Sequence, residues 1–458
     1  MHIRTAASKR VRSVMKRIGR PSLPVWLSLT FGTTIALNDA ALAARIGCKY
    51  VAAMGFCEPL WLLIALATTG LCSGITVGLA QTKHPKSQNV LFLADSLLFA
   101  CAVGLLLVLL GESVSFIIGS NPNLLSGTAP IVARYFAICA FSNLPFTLMQ
   151  AQCAIFRADG QNKRVLILWL IAACFEIGVS NLLIVGCGWK SLEAQASAWG
   201  GACLIAASVG FLLLKPMLKT FEMRKFLQAK FMHHRQNIIA ILSIGAPIAL
   251  SELGTIGSGI LNLHIVSTLP HAHLCEAAWA IKSRLDEAIE IVPITAVGLT
   301  VVPFIAANLD SLRRRRLCQA FRTSIDAVVM AFAIMLLLVL SAQLFAPFIV
   351  AQLCEETELR VQATSLFTVG AAAWPLFAVS QILFSTLEGT GATLVATIGS
   401  LICAIPLRLG LAIILKDCNY CTWISGMTGI TAAGIVAQAV FAALMIILVY
   451  REYRRRFT

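Results

Sequence analysis

Long apolar runs follow one another along almost the whole chain, with short polar stretches between them. Each run extends over about 20 residues or more, which is the length an α-helix needs to cross the hydrocarbon core of a bilayer. We therefore predict an all-α polytopic membrane protein with twelve transmembrane helices. The runs lie near residues 22–45, 50–80, 90–118, 129–157, 164–186, 194–214, 238–267, 275–306, 318–350, 359–387, 393–415 and 424–449.

The composition excludes a water-soluble domain. Of the 458 residues, 58% are hydrophobic and 12% are charged, whereas a soluble domain carries about 25% charged residues. The formal net charge of +15 does not indicate nucleic-acid binding, because the basic residues are sorted by loop. No HExxH, GxSxG or Walker A pattern occurs, so the sequence predicts neither an enzyme nor a nucleotide site.

Lysine and arginine residues are concentrated in alternate connections. The basic stretches are the two tails, the loops at 81–89, 157–164 and 313–316, and the long connector 215–237. Loops rich in these residues stay in the cytoplasm, so both termini are predicted to be cytoplasmic. Segment 1–21 is expected to be a tail rather than a cleaved signal, because no small-residue cleavage pattern follows it.

An internal repeat relates the two halves of the chain. Stretch 24–39 aligns with 247–262 at a constant offset of 223, so that Pro24 matches Pro247 and Asp39 matches Asn262. Parallel repeats of this kind build transporters that bind substrate between the halves. The predicted organisation is a basic tail 1–21, an N-lobe 22–214 with helices 1–6, a cytoplasmic connector 215–237, a C-lobe 238–450 with helices 7–12, and a basic tail 451–458.

Asp39 lies deep in the second half of the first predicted span. A carboxylate near the bilayer centre costs roughly 2.5–3.5 kcal/mol on insertion scales, and it normally faces a cavity or a partner and marks an ion path. The alternative is a hydrated aspartate near the outer end of its helix.

Several motifs recur between residues 22 and 450. They are a D-x(6–7)-G-x(4)-A-A-x-G pattern at Asp39, Gly47, Ala52, Ala53 and Gly55, GITVGLAQ at 74–81, the run Tyr135, Pro145 and Arg157 to Gly160, and LEGTG at 387–391. Together they resemble the multidrug and toxic compound extrusion (MATE) family of the multidrug/oligosaccharidyl-lipid/polysaccharide flippase (MOP) superfamily. Glu388 stands where that family usually has an arginine.

This resemblance implies two six-helix lobes related by a pseudo-twofold axis, with a V-shaped central cleft. It implies an antiporter that exports amphipathic or cationic organic compounds in exchange for H⁺ or Na⁺ across the bacterial cytoplasmic (inner) membrane. Asp39 matches the family's coupling acid, and Pro24 matches the proline at which the first helix bends. We expect a monomer in the lipid bilayer that binds a small-molecule substrate, needs no cofactor and binds no nucleic acid.

The predicted coupling site consists of Asp39, Glu176, Tyr135, Asn38 and Ser180. Two acids in a partly hydrated cavity can exchange protons or attract a cation. The hydroxyl groups of Tyr135 and Ser180 and the amide group of Asn38 can complete an oxygen cage for Na⁺. Glu176 and Ser180 stand where the family often has an asparagine and an aspartate in span 5. The alternatives are a structural hydrogen bond for Glu176 and a packing or interface role for Tyr135.

The predicted substrate cleft residues of the second half are Glu252, Asn262, Asp286 and Glu290. Asp286 and Glu290 are four residues apart and share a helix face. That face can bind a cationic substrate, or Lys282 and Asp286 can form a self-neutralising pair near the outer surface.

Two departures bear on the second half. Thr255 and Phe377 occupy the positions at which one MATE subgroup has acidic cation ligands, so a coupling site in the first half is favoured. Arg408 is expected to pair with one of the acids.

Other functions and sites stay open at this point. The alternatives are a flippase for a lipid-linked saccharide, an exporter of one dedicated metabolite, and a membrane scaffold or receptor without transport. Acids at membrane depth outnumber bases, which argues against binding a lipid diphosphate. Cys418 and Cys421 form a single CxxC motif without a second pair, so no metal site is predicted.

Overall fold

The structure is a computed structural model that describes residues 12–81, 86–121, 128–218, 231–309, 314–353, 356–417 and 426–458. Every regular element in these ranges is helical, and no strand occurs among them. The predicted all-α class is confirmed.

Six helices make up the first half of the chain, one for each predicted span. They are α1 (Arg20–Ile46), α2 (Cys48–Gln81), α3 (Lys86–Ser120), α4 (Ala129–Ala158), α5 (Asn162–Asn181) and α6 (Leu192–Leu214). A π-helical turn precedes α1 at Met15–Gly19, and another follows α5 at Leu182–Gly186. These turns continue the helices without a loop.

The second half also matches the predicted spans, but three of them are interrupted. Its helices are α7 (Phe231–Ser267), α8 (Ala272–Asp286), α9 (Val292–Ala307), α10 (Arg314–Ala351), α11 (Thr357–Ala371), α12 (Trp374–Thr390), α13 (Thr393–Ile402), α14 (Arg408–Lys416) and α15 (Gly426–Phe457). π-Helical turns join α8 to α9 at Glu287–Ile291 and α13 to α14 at Cys403–Leu407, while α11 and α12 meet at a 48° bend. Such turns occur often at functional sites.

Ten helical segments in the described residues are long and apolar enough to cross a membrane, or eleven if the bent pair α11 and α12 counts as one span. Helix α1 is not among them. It carries polar residues along its length, including Thr33, Thr34, Asn38 and Asp39, and these lower its hydropathy. The first predicted span is therefore more polar than a membrane-crossing helix needs to be, as a span with a functional role would be.

The chain forms two compact units. We call Leu23–Ala249 the N unit, and Leu250–Thr458 together with the chain up to Ser22 the C unit. The borders fall inside α1 and α7, beside Pro24 and Pro247. Of the connector 215–237, residues 219–230 lie outside the described residues, and the predicted lobe boundaries stay a prediction.

Helix α4 lies at the centre of the N unit, where it packs against α3, α2 and α6. Its second half contributes an almost continuous run of fully buried residues, including Met149, Ile155 and Phe156. Next to this run, the rings of Trp61 and Trp199 pack on Phe146 with centroids 5.3 and 5.7 Å away. A helix that is apolar all round is typical of the interior of a bundle.

The first half of α7 is attached to the N unit by backbone contacts with α2. A Cβ atom added at Gly70 would lie 2.4 Å from the carbonyl oxygen of Gly245, and one added at Gly245 would lie 2.3 Å from that of Gly70. Gly74 approaches the carbonyl oxygen of Ile241 in the same way. Small residues allow this close approach of helices in membranes.

Hydrogen bonds to Asp95 on α3 hold the start of α7. The Asp95 carboxyl group is 2.6 Å from His234 Nδ1 and accepts a hydrogen bond of 2.6 Å from Asn237 Nδ2. Asp95 is buried, so both of its oxygens are satisfied by the helix that it anchors.

In the C unit, α12 packs against α9, α10 and α15. The Tyr453 ring packs on Phe321 with centroids 4.9 Å apart, and its hydroxyl group lies 3.2 Å from Ser324 Oγ. The segment that precedes α1 belongs to this unit, because Arg17 donates a 3.2 Å hydrogen bond to Thr323 Oγ1.

Candidate functional site

Two carboxyl groups meet inside the N unit. Asp39 comes from α1 and Glu176 from α5, and the two groups are close enough to interact electrostatically and through a hydrogen bond. Glu176 is fully buried and Asp39 is half-buried. No donor from the described residues meets hydrogen-bond geometry at Asp39 Oδ1 or at either carboxyl oxygen of Glu176. A hydrogen bond between the two groups therefore requires a proton on one of them.

A network of amide side chains fixes the position of α1 at this point. Asn38 Nδ2 donates a 3.2 Å hydrogen bond to Ser180 Oγ, and Asn181 Nδ2 donates one of 2.8 Å to Asn38 Oδ1. Gln195 Nε2 on α6 donates a 2.8 Å hydrogen bond to the main-chain oxygen of Asp39. These bonds tie α1 to α5 and α6, so the Asp39 carboxyl group is held opposite Glu176.

Asn181 and Gln195 are not among the residues predicted from the sequence. Each is a polar residue in an apolar span, and Asn181 directly follows Ser180. Their polarity within an apolar span, and for Asn181 the position next to Ser180, could have identified them from the sequence.

Tyr135 on α4 lies at the edge of the same region. Its ring packs against the cluster that includes Ala43, Cys57 and Phe136. Its hydroxyl group is close to the thiol group of Cys139 and within the electrostatic range of Asp39. The structure thus brings Asp39, Glu176, Asn38 and Ser180 together in the N unit, with Tyr135 nearby. The role of these residues stays a prediction.

Pro24 lies inside α1, fifteen residues before Asp39. A proline within a helix has no N–H group to bond the carbonyl oxygen of the preceding turn. Helix α1 nevertheless continues through this position, and Ser28 Oγ one turn later donates a 2.6 Å hydrogen bond to the main-chain oxygen of Val25. The proline therefore marks a weakened point in the helix that carries Asp39.

The C unit contains a cavity of about 440 Å³. It is lined by residues from α7, α8, α9, α11, α12, α13, α14 and α15 and from the two π-helical turns at Glu287–Ile291 and Cys403–Leu407. Its charged lining residues are Glu252, Lys282, Asp286, Glu290 and Arg408. Three carboxyl groups therefore face two cations in one cavity, and pockets of this size admit drug-sized ligands.

One ion pair lies within the wall of this cavity. Lys282 Nζ contacts Asp286 Oδ2, and the two side chains are 12% and 15% exposed. The Lys282 ammonium group also lies 5.3 Å from the centre of the Trp279 ring, and Trp374 Nε1 donates a 3.2 Å hydrogen bond to Asp286 Oδ1. Both oxygens of Asp286 are thus occupied by this arrangement.

The cleft residues predicted in the second half do not all meet. Glu252, Asp286 and Glu290 line the cavity, together with Thr255 and Phe377. Asn262 is fully buried outside the lining, and its Nδ2 donates a 2.9 Å hydrogen bond to the main-chain oxygen of Ser258.

The CxxC motif found in the sequence cannot be placed. Cys418 and Cys421 lie outside the described residues.

Comparison with known proteins gives two relatives of moderate similarity. The probable multidrug resistance protein YoeA of Bacillus subtilis is 21% identical over 429 residues, which cover 90% of this chain and 88% of that protein. A FAD transporter of Shewanella oneidensis is 25% identical over 318 residues, 67% of this chain and 68% of that protein. No protein-family model matches the chain.

Solved structures decide the fold. A MOP superfamily transporter from Pyrococcus furiosus has a TM-score of 0.87 at 16% identity, with 97% of each chain covered. An outward-facing multidrug resistance MATE family transporter has a TM-score of 0.85 at 16% identity, again with 97% of each chain covered. The fold is that of the MATE transporters. The resemblance read from the motifs of the sequence is thereby confirmed at the level of architecture, and the chain is a multi-pass membrane protein with a transporter fold.

Proposed function

We propose that the protein is a secondary active antiporter, and not an enzyme, that exports amphipathic or cationic organic compounds in exchange for H⁺ or Na⁺. The meeting of Asp39 and Glu176 carries this proposal. Two like charges a few ångströms apart in an apolar environment repel each other strongly unless one takes up a proton or a cation lies between them. The N unit therefore has a place that binds and releases one positive charge.

The surrounding hydrogen bonds support a coupling role for this pair. Asn38 and Gln195 hold α1 against α5 and α6, so a charge gained or lost at Asp39 acts on α1 directly. Pro24 lies between Asp39 and the border of the N unit, where the helix is weakest. In an antiporter, binding of the ion and binding of a cationic substrate are alternative ways to compensate the same charge.

The relatives support two versions of the function. The Bacillus protein is named a probable multidrug resistance protein, which favours export of diverse amphipathic compounds. The Shewanella protein is named a FAD transporter, which favours the second candidate, export of one dedicated metabolite. The described residues that line the C-unit cavity include only two cations, and one of them, Lys282, is already paired with Asp286. This argues against a flippase for a lipid-linked saccharide, because a diphosphate carries more than one negative charge.

The proposed setting follows the distribution of basic residues. Arg454, Arg455 and Arg456 end α15, and by the positive-inside rule this end of the chain faces the cytoplasm. We place the protein in the cytoplasmic (inner) membrane of a bacterium, as a monomer with both termini inside.

Reconstitution of the wild-type protein in liposomes tests the proposal. Ethidium flux is measured under a pH gradient at equal Na⁺ and under a Na⁺ gradient at equal pH. We expect uphill ethidium movement under one of the two gradients and its loss when the matching ionophore is added. If ethidium does not move and FAD does, the dedicated-metabolite candidate replaces the first. If neither compound moves under either gradient, the antiport proposal is wrong.

Replacement of Glu176 by glutamine should slow gradient-driven export about 10-fold or more, since interactions that involve a charged group are worth about 1.5–3 kcal/mol. The amide group gives Asp39 a donor that it now lacks, so the remaining carboxyl group no longer needs a proton or a cation. Export rates are compared in liposomes with those of Glu193→Gln, which alters a half-exposed glutamate at the start of α6. Equal rates for both variants would exclude Glu176 from the coupling site.

A further inference from the structure

Arg408 lines the C-unit cavity without a partner in contact. It is the first residue of α14 and follows a π-helical turn. Among the described residues, no hydrogen bond or salt bridge reaches its guanidinium group, and Glu290 and Asp286 act on it only through space. A guanidinium group has five N–H donors in a planar fork that matches a carboxylate or another oxyanion.

The acids nearest to Arg408 do not supply that match. Both oxygens of Asp286 are occupied by Lys282 and Trp374. Glu290 lies in the fields of Lys282, Asp286 and Arg408 together, and no contact between Glu290 and Arg408 within ion-pair distance occurs among the described residues. The donors of Arg408 therefore remain available to a ligand in the cavity.

Glu252 is the complementary group in the same cavity. It comes from α7, and no charged side chain of the described residues acts on it. The neighbouring Ser251 donates a 2.9 Å hydrogen bond to Ser400 Oγ on α13, which connects α7 to α13. Glu252 and Arg408 both line the cavity of about 440 Å³, so one small organic molecule inside it can contact both side chains.

We propose that this cavity binds an amphoteric organic molecule, with its oxyanion on Arg408 and its ammonium group on Glu252. Hydroxyl and amide groups of Thr255, Thr431 and Gln438 line the same space and can bond polar atoms between the two charges. A purely cationic compound would leave the guanidinium group without an acceptor. This inference rests on the proposed function, because it names the class of compound that the C unit accepts.

A matched series of three compounds tests the proposal. 4-(Aminomethyl)benzoate carries both charges, its methyl ester carries the ammonium group alone, and 4-methylbenzoate carries the carboxylate alone. Binding of each to the full chain in detergent is measured by calorimetry up to about 10 mM, the weak limit for ligands of this size. We expect the amphoteric compound to bind about 10-fold more tightly than either of the others, since it makes both charge-assisted contacts.

Variants test which residue binds the carboxylate of the ligand and which binds its ammonium group. Arg408→Gln should weaken binding of the amphoteric compound and of 4-methylbenzoate about 10-fold and leave the ester unchanged. Glu252→Gln should weaken the amphoteric compound and the ester and leave 4-methylbenzoate unchanged. Arg408→Lys keeps the charge but not the planar fork, so it should give an intermediate loss. The controls are Arg284→Gln and Glu287→Gln, whose half-exposed side chains lie outside the cavity lining.

Several results would overturn the inference. They are equal affinity for the amphoteric compound and its ester, no binding of any of the three, and unchanged binding by Arg408→Gln. If Arg408→Gln does not fold, the affinity of Arg408→Lys decides. These measurements are made at equilibrium without an ion gradient, so a failure here leaves antiport untouched, and a failure of gradient-driven flux leaves the binding result standing.

Discussion

Gradient-driven export is expected to stop in Asp39→Asn, with a rate at least about 100-fold below that of the wild-type protein, because a coupling acid cannot be replaced by a group that does not bind a proton. The substitution keeps the size and shape of the side chain. The hydrogen bond from Gln195 goes to the main-chain oxygen of residue 39, so the connection between α1 and α6 is retained. The new amide group also offers a donor to the Glu176 oxygens, which have none among the described residues.

The variant should therefore fold as well as the wild-type protein while it loses transport. Ethidium flux in liposomes and the melting temperature in detergent are measured on the same preparation. Asp417→Asn, which makes the same chemical change at a side chain that is 75% exposed, serves as the control and should transport normally. Wild-type flux in Asp39→Asn would contradict the coupling role, and a lowered melting temperature would point to a structural one.

Gly245→Ala is expected to give the largest loss of stability. The added Cβ atom would lie 2.3 Å from the carbonyl oxygen of Gly70, and a backbone oxygen cannot move without displacing its whole helix. The helices α2 and α7 must separate, and overpacking of this kind costs typically 1–3 kcal/mol. We expect the melting temperature in detergent to fall by roughly 2–6 °C, with a similar effect for Gly70→Ala because the contact is reciprocal.

The same helix provides the control. Gly257 on α7 has no atom within 4 Å of an added Cβ, and alanine is a better helix former than glycine by about 1 kcal/mol. Gly257→Ala should leave the melting temperature unchanged or raise it slightly. Equal effects of the Gly245 and Gly257 substitutions would show that helix propensity, rather than the close approach of the backbones, decides the result.

The positions of the membrane helices were predictable, and their interruptions were predictable in part. The length of each apolar run indicates a span, and Pro375 and Pro406 mark places where a span can bend. The break at Ala372–Ala373 precedes Pro375, and the π-helical turn at Cys403–Leu407 contains Pro406. Whether a span is interrupted by a bend or by a π-helical turn depends on packing against neighbouring helices. This packing cannot be predicted from the sequence.

Rotation of the helices about their axes was the main limit for the candidate site. In a helix with apolar residues on all sides, periodicity does not indicate which face meets a neighbour. The repeat alignment matches Asn262 with Asp39 and so predicts a cleft residue, whereas the structure buries Asn262 away from the C-unit cavity. The pairing of Asp39 with Glu176 could be predicted from the sequence, because a carboxyl group in a membrane span needs a partner that compensates its charge.

The borders between the two units fall inside helices α1 and α7, and this has a consequence for biosynthesis. The N unit includes α7 only up to Ala249, and the C unit includes the segment that ends at Ser22. The ribosome must therefore complete more than half of the chain before the N unit has all its parts. The helical turn at Met15–Gly19 finds its contacts only after α9 and α10 have been inserted. Fragments separated at the connector would each lack a piece of the unit that they mostly contain, so they should assemble only when they are synthesised in the same membrane.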